Sequence, residues 1–190
     1  MSLNLRNFDG KSALFLAIEH SRTKMIEKLL EFKDLIDFRS SDTLFGNTPL
    51  HMACLQEDLE TASAIFEVDS DLCMKPNYLG RSPFYLACEK RNLLLLQVFE
   101  KMKSQAVVVK DYLGENMLFV CARQGDAEVM NWFSGSNNFY RARGQSNYKG
   151  QTIEHILCMT GRTSIVDSIQ PRIEAIQDFY GNTPLHYAIA

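Results

Sequence analysis

The chain has 190 residues, of which 46% are hydrophobic and 23% are charged, a composition that predicts a globular protein with enough apolar residues for a core. Its net charge of −3 argues against a surface dedicated to nucleic acid or to an anionic membrane. The sequence holds no run of 18 apolar residues and no apolar N-terminal segment, so we expect neither a membrane-spanning helix nor a cleaved secretion signal.

A six-residue sequence, GNTPLH, occurs at residues 46–51 and again at 181–186. Aligning the chain on the glycine of this sequence gives six related segments. Their glycines are Gly10, Gly46, Gly80, Gly114, Gly150 and Gly181. The spacings of 36, 34, 34, 36 and 31 residues indicate that the chain is a series of similar units.

Each unit predicts the same succession of elements: a glycine turn, a short helix, a second turn and a longer helix. Two residues after each glycine lies a residue that can cap a helix N-terminus. These residues are Ser12, Thr48, Ser82, Asn116, Thr152 and Thr183. Proline follows three of the caps, at the first helical position, where its missing N–H is no loss. Apolar residues three and four apart then predict the second helices, including 25–32, 93–102 and 127–133.

The six units resemble ankyrin repeats, which have a period of about 33 residues and a T-P-L-H-x-A signature. Residues 48–53 and 183–188 match that signature fully, and 82–87 match it with Phe84 and Tyr85 substituted. The resemblance implies an all-α solenoid of paired antiparallel helices with hairpin-like loops. It predicts one domain over residues 1–190, with repeats at about 7–42, 43–76, 77–110, 111–146 and 147–177 and a truncated repeat at 178–190.

The fifth repeat and the segment before it depart from this pattern. Pro171 lies where a second helix should continue, and since proline inside a helix costs about 3 kcal/mol, we expect that helix to end or kink just before it. Residues 134–150 are rich in Gly, Ser and Asn, which favours a long solvated loop. Its Arg141, Arg143 and Lys149, interleaved with aromatic residues, leave a site for single-stranded nucleic acid as the weaker alternative.

Three of the four histidines, His51, His155 and His186, share one position of the repeat. Equivalent positions of a repeat array lie side by side and do not converge. We therefore interpret these rings as hydrogen-bond partners of nearby backbone, and not as catalytic or metal-binding groups. The sequence shows none of the common nucleotide-binding, protease or hydrolase motifs, and we predict no enzymatic activity, cofactor or metal site.

The cysteines predict neither a disulfide framework nor a zinc site, because their number is odd and no Cys-x-x-Cys pair occurs. Cys54, Cys88 and Cys158 share one repeat position and Cys121 lies at the adjacent one, so we expect buried thiols in a reducing, cytoplasmic compartment. The setting of Cys73 is left open. Trp132 is expected in the core.

A column of large side chains lies two residues before each glycine. It consists of Phe8, Leu44, Tyr78, Tyr112, Tyr148 and Phe179. Leu79 and Leu113 occupy the next position. In ankyrin-like units these positions lie at the tips of projecting hairpins, where a row of apolar side chains would mark an interaction site. The alternative is that each tip packs on the neighbouring hairpin and stiffens the array, and the two interpretations are compatible.

The resemblance implies a non-catalytic module that docks another protein on its concave side, formed by hairpin tips and first helices. The surface would extend to the exposed ends of the first helices, at Leu55, Gln56, Glu89, Lys90, Arg123 and Gln124. We predict a monomer without membrane contact. An alternative is that this region is the targeting part of a larger protein, which is either an enzyme or a secreted bacterial effector that acts in host cytoplasm. The chain stops at Ala190 inside a helix, without a polar terminal cap, so that activity would lie beyond residue 190.

Overall fold

The computed structural model describes residues 3–162, 165 and 176–189, and across these residues the chain is all-helical without a named strand, which confirms the all-α prediction. The helices in that part of the chain are α1 (Ala13–Glu19), α2 (Thr23–Leu30), α3 (Pro49–Leu55), α4 (Leu59–Val68), α5 (Pro83–Glu89), α6 (Leu93–Val98), α7 (Lys103–Ala106), α8 (Met117–Gln124), α9 (Ala127–Ser134), α10 (Phe139–Arg143), α11 (Ile153–Thr160) and α12 (Pro184–Ile189). Short 3-10 turns lie at Lys33–Leu35, Ser70–Met74 and Glu100–Met102.

The first helix of each repeat begins where the cap residues predict. The hydroxyl oxygens of Ser12 and Ser82 accept hydrogen bonds from the backbone N–H three residues later, and the Asn116 side chain accepts from the N–H of Leu118. Each of these bonds satisfies a donor that the first turn of a helix leaves unpaired. Proline is the first residue of α3, α5 and α12, so the predicted helix starts are confirmed there.

The turn between the two helices of a repeat requires one residue in the left-handed conformation. Gly125 and Gly161 supply it in the fourth and fifth repeats, with φ of 74° and 63°. In the first three repeats the same place is held by Ser21, Glu57 and Arg91, with φ between 51° and 58°. The turn geometry therefore persists where glycine is absent, at the steric cost that a Cβ brings in this conformation.

The first compact unit, Met1–Glu100, contains the helix pairs of the first three repeats, from α1 to α6. Helices α1, α3 and α5 pack in a row, and α2, α4 and α6 each pack against the first helix of their own repeat. The fully buried Ala53 and Ala87 allow close approach between first helices. Phe99 lies between the rings of Phe66 and Phe84, at centroid distances of 5.0 and 5.8 Å, and closes the apolar core of this unit.

The second compact unit, Lys101–Ala190, contains the later repeats. Helix α11 packs against α8 and α12, and α9 packs against α8. Phe119, Phe133 and Met130 are fully buried in its core. The prediction of a single domain with the stated repeat boundaries stays a prediction, as does the position of each boundary.

Two predicted elements differ from the structure. The helix expected over 93–102 ends at Val98, because Phe99 turns inward with φ −90° and ψ 12° and a 3-10 turn follows. The expected loop over 134–150 contains α10, since Phe139 and Ala142, three residues apart, bury one helical face. The predicted helix end before Pro171 lies outside the described residues.

Candidate interaction surface

Each repeat begins with a hairpin loop built on one Asn or Asp side chain. The six residues are Asn7, Asp42, Asn77, Asp111, Asn147 and Asp178. The side-chain oxygen of Asn77 accepts from the N–H groups of Leu79 and Arg81, both at 3.0 Å, and the other five accept in the same way. These bonds hold each loop in a tight turn and set the direction of its tip.

The tip aromatic residue rests on the glycine of the preceding hairpin. A Cβ placed on Gly46 would lie 2.6 Å from Tyr78 Cδ1, and one on Gly150 would lie 2.7 Å from Phe179 Cδ1. The Tyr78 side chain nevertheless stays 59% exposed. The Tyr78 ring therefore both packs on the neighbouring hairpin and remains exposed to solvent. This is compatible with both interpretations of the sequence, an interaction site and a stiffening contact.

The predicted alignment of Leu44 with the other tip residues is wrong by one residue. The hairpin of the second repeat closes from the Asp42 N–H to the Asn47 carbonyl, one residue longer than the closure from Asn77 to Arg81. Thr43 therefore takes the equivalent place: its Cγ2 lies against Gly10 and its N–H bonds to the Asp9 carbonyl. The inserted residue projects Leu44 and Phe45 into solvent, and alignment on glycine could not detect it.

Successive hairpins are joined through their backbones. The N–H of Tyr78 donates to the carbonyl of Phe45 at 2.8 Å, and the N–H of Tyr148 donates to that of Leu113 at 3.1 Å. The Phe179 N–H makes the same bond to a preceding hairpin. These links fix the spacing between the tips within each unit.

The remaining tip residues lie where the sequence predicts, on the outside of their hairpins. Phe8, Leu79, Tyr112, Leu113 and Tyr148 are all more than half exposed. Because exposed large apolar side chains are costly to hydrate, such a group of tips is characteristic of an interaction surface.

The predicted residues at the ends of the first helices divide into two groups. Gln56, Lys90 and Arg123 are exposed, whereas Leu55, Glu89 and Gln124 are half-buried. Glu89 pairs with Arg81 at 3.1 Å, and Arg123 pairs with the buried Glu115 at 2.6 Å. Lys11 and Glu19 form the same i,i+8 pair in the first repeat. Glu89 and Arg123 thus have an internal role in joining hairpin to helix.

Each unit has a cleft between hairpin tips and first helices. In the first unit, a cavity of about 210 Å³ is lined by Phe45, Asn47, Leu55, Asn77, Leu79, Arg81, Leu86 and Glu89. In the second unit, the equivalent cavity of about 440 Å³ is lined by Tyr112, Leu113, Glu115, Arg123, Asn147, Tyr148, Lys149, Gln151, Ile156, Met159 and Thr160. The larger volume lies in the range of sites that hold small ligands or partner side chains.

The repeat histidines bond to backbone, as predicted. In His51, Nδ1 accepts from the Thr48 N–H at 3.0 Å and Nε2 contacts the Arg81 carbonyl of the next repeat at 3.1 Å. His155 makes the corresponding contacts with Thr152 and with the Asn182 carbonyl. The pKa of His51 is lowered to about 4, chiefly by burial; the Arg81 carbonyl and Asp42 oppose this shift, and the charge of Lys75 adds to it. The ring is therefore neutral at physiological pH and joins adjacent repeats.

The thiols and the single tryptophan differ in their burial. Cys54, Cys73, Cys88 and Cys121 are buried, whereas Cys158 is only half-buried, contrary to the expectation. Burial raises the pKa of Cys54 and Cys121, which makes them poor nucleophiles. The open question about Cys73 is thus answered by its burial. The expectation of a core position for Trp132 is wrong, because Phe133 takes the buried place and Trp132 is half-buried, with Lys103 Nζ 4.2 Å from a ring centroid.

The basic segment before the fifth repeat offers less positive charge than its sequence indicates. Arg143 pairs with Glu154 at 3.3 Å, and both side chains are nearly buried. Only Arg141 and Lys149 remain exposed among its cations, which leaves little of the cationic groove that single-stranded nucleic acid requires.

The hairpin Asn and Asp residues were missed by the sequence interpretation, although the signal was present. An Asn or Asp stands three residues before the glycine in five repeats and four residues before it in the second. Because these side chains mimic a backbone turn, a recurrent Asn or Asp at that offset predicts a fixed loop. The clefts had no comparable signal.

The described helix pairs, capped by Ser, Thr or Asn at their first helices and separated by hairpins with backbone links, define a helical repeat protein. A family model for ankyrin repeats (three copies) matches residues 1–76. This match supports an ankyrin-repeat protein. A search of curated protein sequences finds no match. Ankyrin repeats in general bind other proteins and are typically non-catalytic.

Two further properties bear on function. Among the helices in the described ranges, none is long and apolar enough to cross a bilayer. Within the same ranges, no three His, Cys, Asp or Glu side chains come together in a group that could hold a metal ion.

Proposed function

We propose that the chain is a non-catalytic module that docks a partner protein on its hairpin tips and on the adjoining ends of its first helices. The observation that carries the proposal is the exposure of large apolar side chains at the tips: Leu79 is 54% and Leu113 is 60% exposed. Apolar and aromatic side chains of this kind dominate binding energy at protein interfaces.

The surface is preorganised. The side-chain bonds of Asn77 and Asp111 hold the two loops that carry these leucines, so little ordering entropy is lost when a partner docks. Lys90 and Gln56 extend the surface as exposed polar residues, which suits the polar rim of an interface.

The test uses charged substitutions at the tips and at matched sites elsewhere. A photo-crosslinking residue at Leu113 captures the partner in lysate of the source cell, and calorimetry then measures the affinity of the purified partner. Leu79→Glu and Leu113→Glu are each expected to weaken binding at least about tenfold, the loss expected at an interface hot spot.

Leu94→Glu on α6 and Tyr140→Glu on α10 are the controls, since both side chains are at least as exposed as the tip leucines but lie outside the two clefts. These controls are expected to bind normally. Equal affinity for the tip variants and the wild-type chain, or an equal loss in the controls, would refute the proposal.

A further inference from the structure

The polar groups lining the cleft of the second unit bond to one another. Asn147 Nδ2 donates to Glu115 at 3.3 Å and to Gln151 Oε1 at 3.1 Å. Gln151 Nε2 donates to the Tyr187 hydroxyl at 3.2 Å, and both Glu115 oxygens accept from Arg123. Because satisfied polar groups gain little from a new partner, what the cleft offers an occupant is mainly apolar surface.

That apolar surface is extensive. Leu113 and Tyr148 contribute from the hairpins, and Ile156 and Met159 contribute from α11. The cavity volume of about 440 Å³ is much larger than a methyl group and can hold a large aliphatic or aromatic side chain.

The rim carries a positive charge without an internal partner. Lys149 lines the cleft, is exposed, and has no acidic residue within ion-pair distance in the described part of the chain. The nearest acid of the cleft, Glu115, is already neutralised by Arg123 at 2.6 Å. The rim therefore favours a carboxylate from outside.

The cleft of the first unit provides an internal comparison. Leu79 stands where the second unit has Lys149, and Asn47 and Leu55 stand where it has Glu115 and Arg123. That cleft has half the volume, and the cation in its lining, Arg81, is paired with Glu89 at 3.1 Å. The combination of a large apolar cavity with a positive rim thus belongs to the second unit.

We propose that this cleft binds a segment of the partner protein in which a large apolar residue has an aspartate or glutamate within two positions of it. The apolar side chain fills the cavity between the hairpins and α11, and the carboxylate pairs with Lys149. The inference rests on the proposed function and names the segment that the module recognises.

The test selects random twelve-residue peptides displayed on phage against the full 190-residue chain and against its Lys149→Glu variant. The wild-type chain is expected to enrich peptides with a large apolar residue next to an acid, and the variant is expected to enrich lysine or arginine in place of the acid. A synthetic consensus peptide should lose about fivefold to tenfold in affinity on Lys149→Glu, the effect of reversing one exposed ion pair.

Arg141→Glu makes the same charge change on α10, outside the cleft, and should leave the selected sequences and the affinity unchanged. Met159→Asp, which charges the apolar wall, should abolish binding of the consensus peptide. Selection without acid enrichment, failure to select any peptide, or equal effects of Lys149→Glu and Arg141→Glu would overturn the inference. The leucine variants with the intact partner test the docking function independently of that result.

Discussion

At the scale of single residues, the hairpin glycine performs two tasks at once. Gly46 has φ of 72°, which L side chains adopt with strain, and its missing Cβ leaves the space that the Tyr78 ring fills. Gly181 has φ of 80° but nothing within 4 Å of the position a Cβ would take. An added Cβ would therefore cause backbone strain at both glycines, but a steric clash only at Gly46.

We expect Gly181→Ala to lower the free energy of unfolding by about 1–2 kcal/mol through strain alone, and Gly46→Ala to lower it by about 1 kcal/mol more because the Tyr78 ring must move. In a Tyr78→Ala background the Gly46→Ala cost should fall to that of Gly181→Ala. Urea denaturation of the four variants measures these differences. Equal costs for the two glycines in the wild-type background would contradict the contact.

His51 makes stability depend on pH over a defined range. Its pKa is about 4 in the folded chain, against 6.5 for an unperturbed histidine, so the unfolded chain takes up the proton first as pH falls. The contribution of neutral His51 to the free energy of unfolding is fully present above pH 6.5. It decreases as pH falls towards 4, by about 3 kcal/mol in total. Urea denaturation between pH 7 and 4 measures it.

The control for this prediction is His51→Phe, since Phe15 and Phe119 occupy the same repeat position and are buried there. The variant is expected to be less stable at pH 7, because the Arg81 carbonyl loses its partner, but to lose less stability on acidification. Parallel pH curves for the two proteins would rule out His51 as the source.

At the scale of elements, the turn between paired helices keeps one geometry with different residues. Ser21 has φ of 51° and Gly161 has φ of 63°, and a Cβ on Gly161 would meet no atom within 4 Å. Exchange of the two residue types therefore tests the backbone conformation without a packing change.

Ser21→Gly is expected to raise the free energy of unfolding by about 0.5–1 kcal/mol, since relief of left-handed strain exceeds the added entropy of the unfolded chain. Gly161→Ser should lower it by a similar amount. Thermal unfolding followed by circular dichroism measures both. Opposite signs are the essential result, and destabilisation by Ser21→Gly would show that the strain is small.

The elements differ in how well their sequence predicts them. Pro49 and Thr48 determine a helix start by local chemistry, and the structure agrees with the prediction there. Leu44 could not be placed, because the extra residue in its hairpin becomes visible only through the bond from Asp42 to Asn47. The helix break at Phe99 depends on the Phe66 and Phe84 rings, which are distant in sequence and leave no local signal.

At the scale of the whole molecule, each compact unit is held together by contacts between its neighbouring repeats, so the effect of a core mutation should decline along the chain of its own unit. Leu50→Ala removes a fully buried side chain from α3 and should cost about 2–5 kcal/mol locally. Hydrogen exchange should accelerate most in α1, α4 and α5, which contact α3, and less in α2 and α6 of the same unit. Leu94→Ala, at an exposed site, is the control, and uniform acceleration throughout the chain would contradict the prediction.

Two of the links between repeats end on main-chain carbonyls: the His51 ring contacts that of Arg81, and the Tyr78 N–H donates to that of Phe45. Every residue type has the same backbone carbonyl, so such a hydrogen bond does not depend on the side chain of the residue that accepts it. A substitution at the residue that carries such a carbonyl therefore needs no compensating change in the repeat that bonds to it. The family model matches only residues 1–76, yet Asp111, Asn147 and Asp178 form the same loops. A search by sequence therefore undercounts repeats whose architecture tolerates this drift.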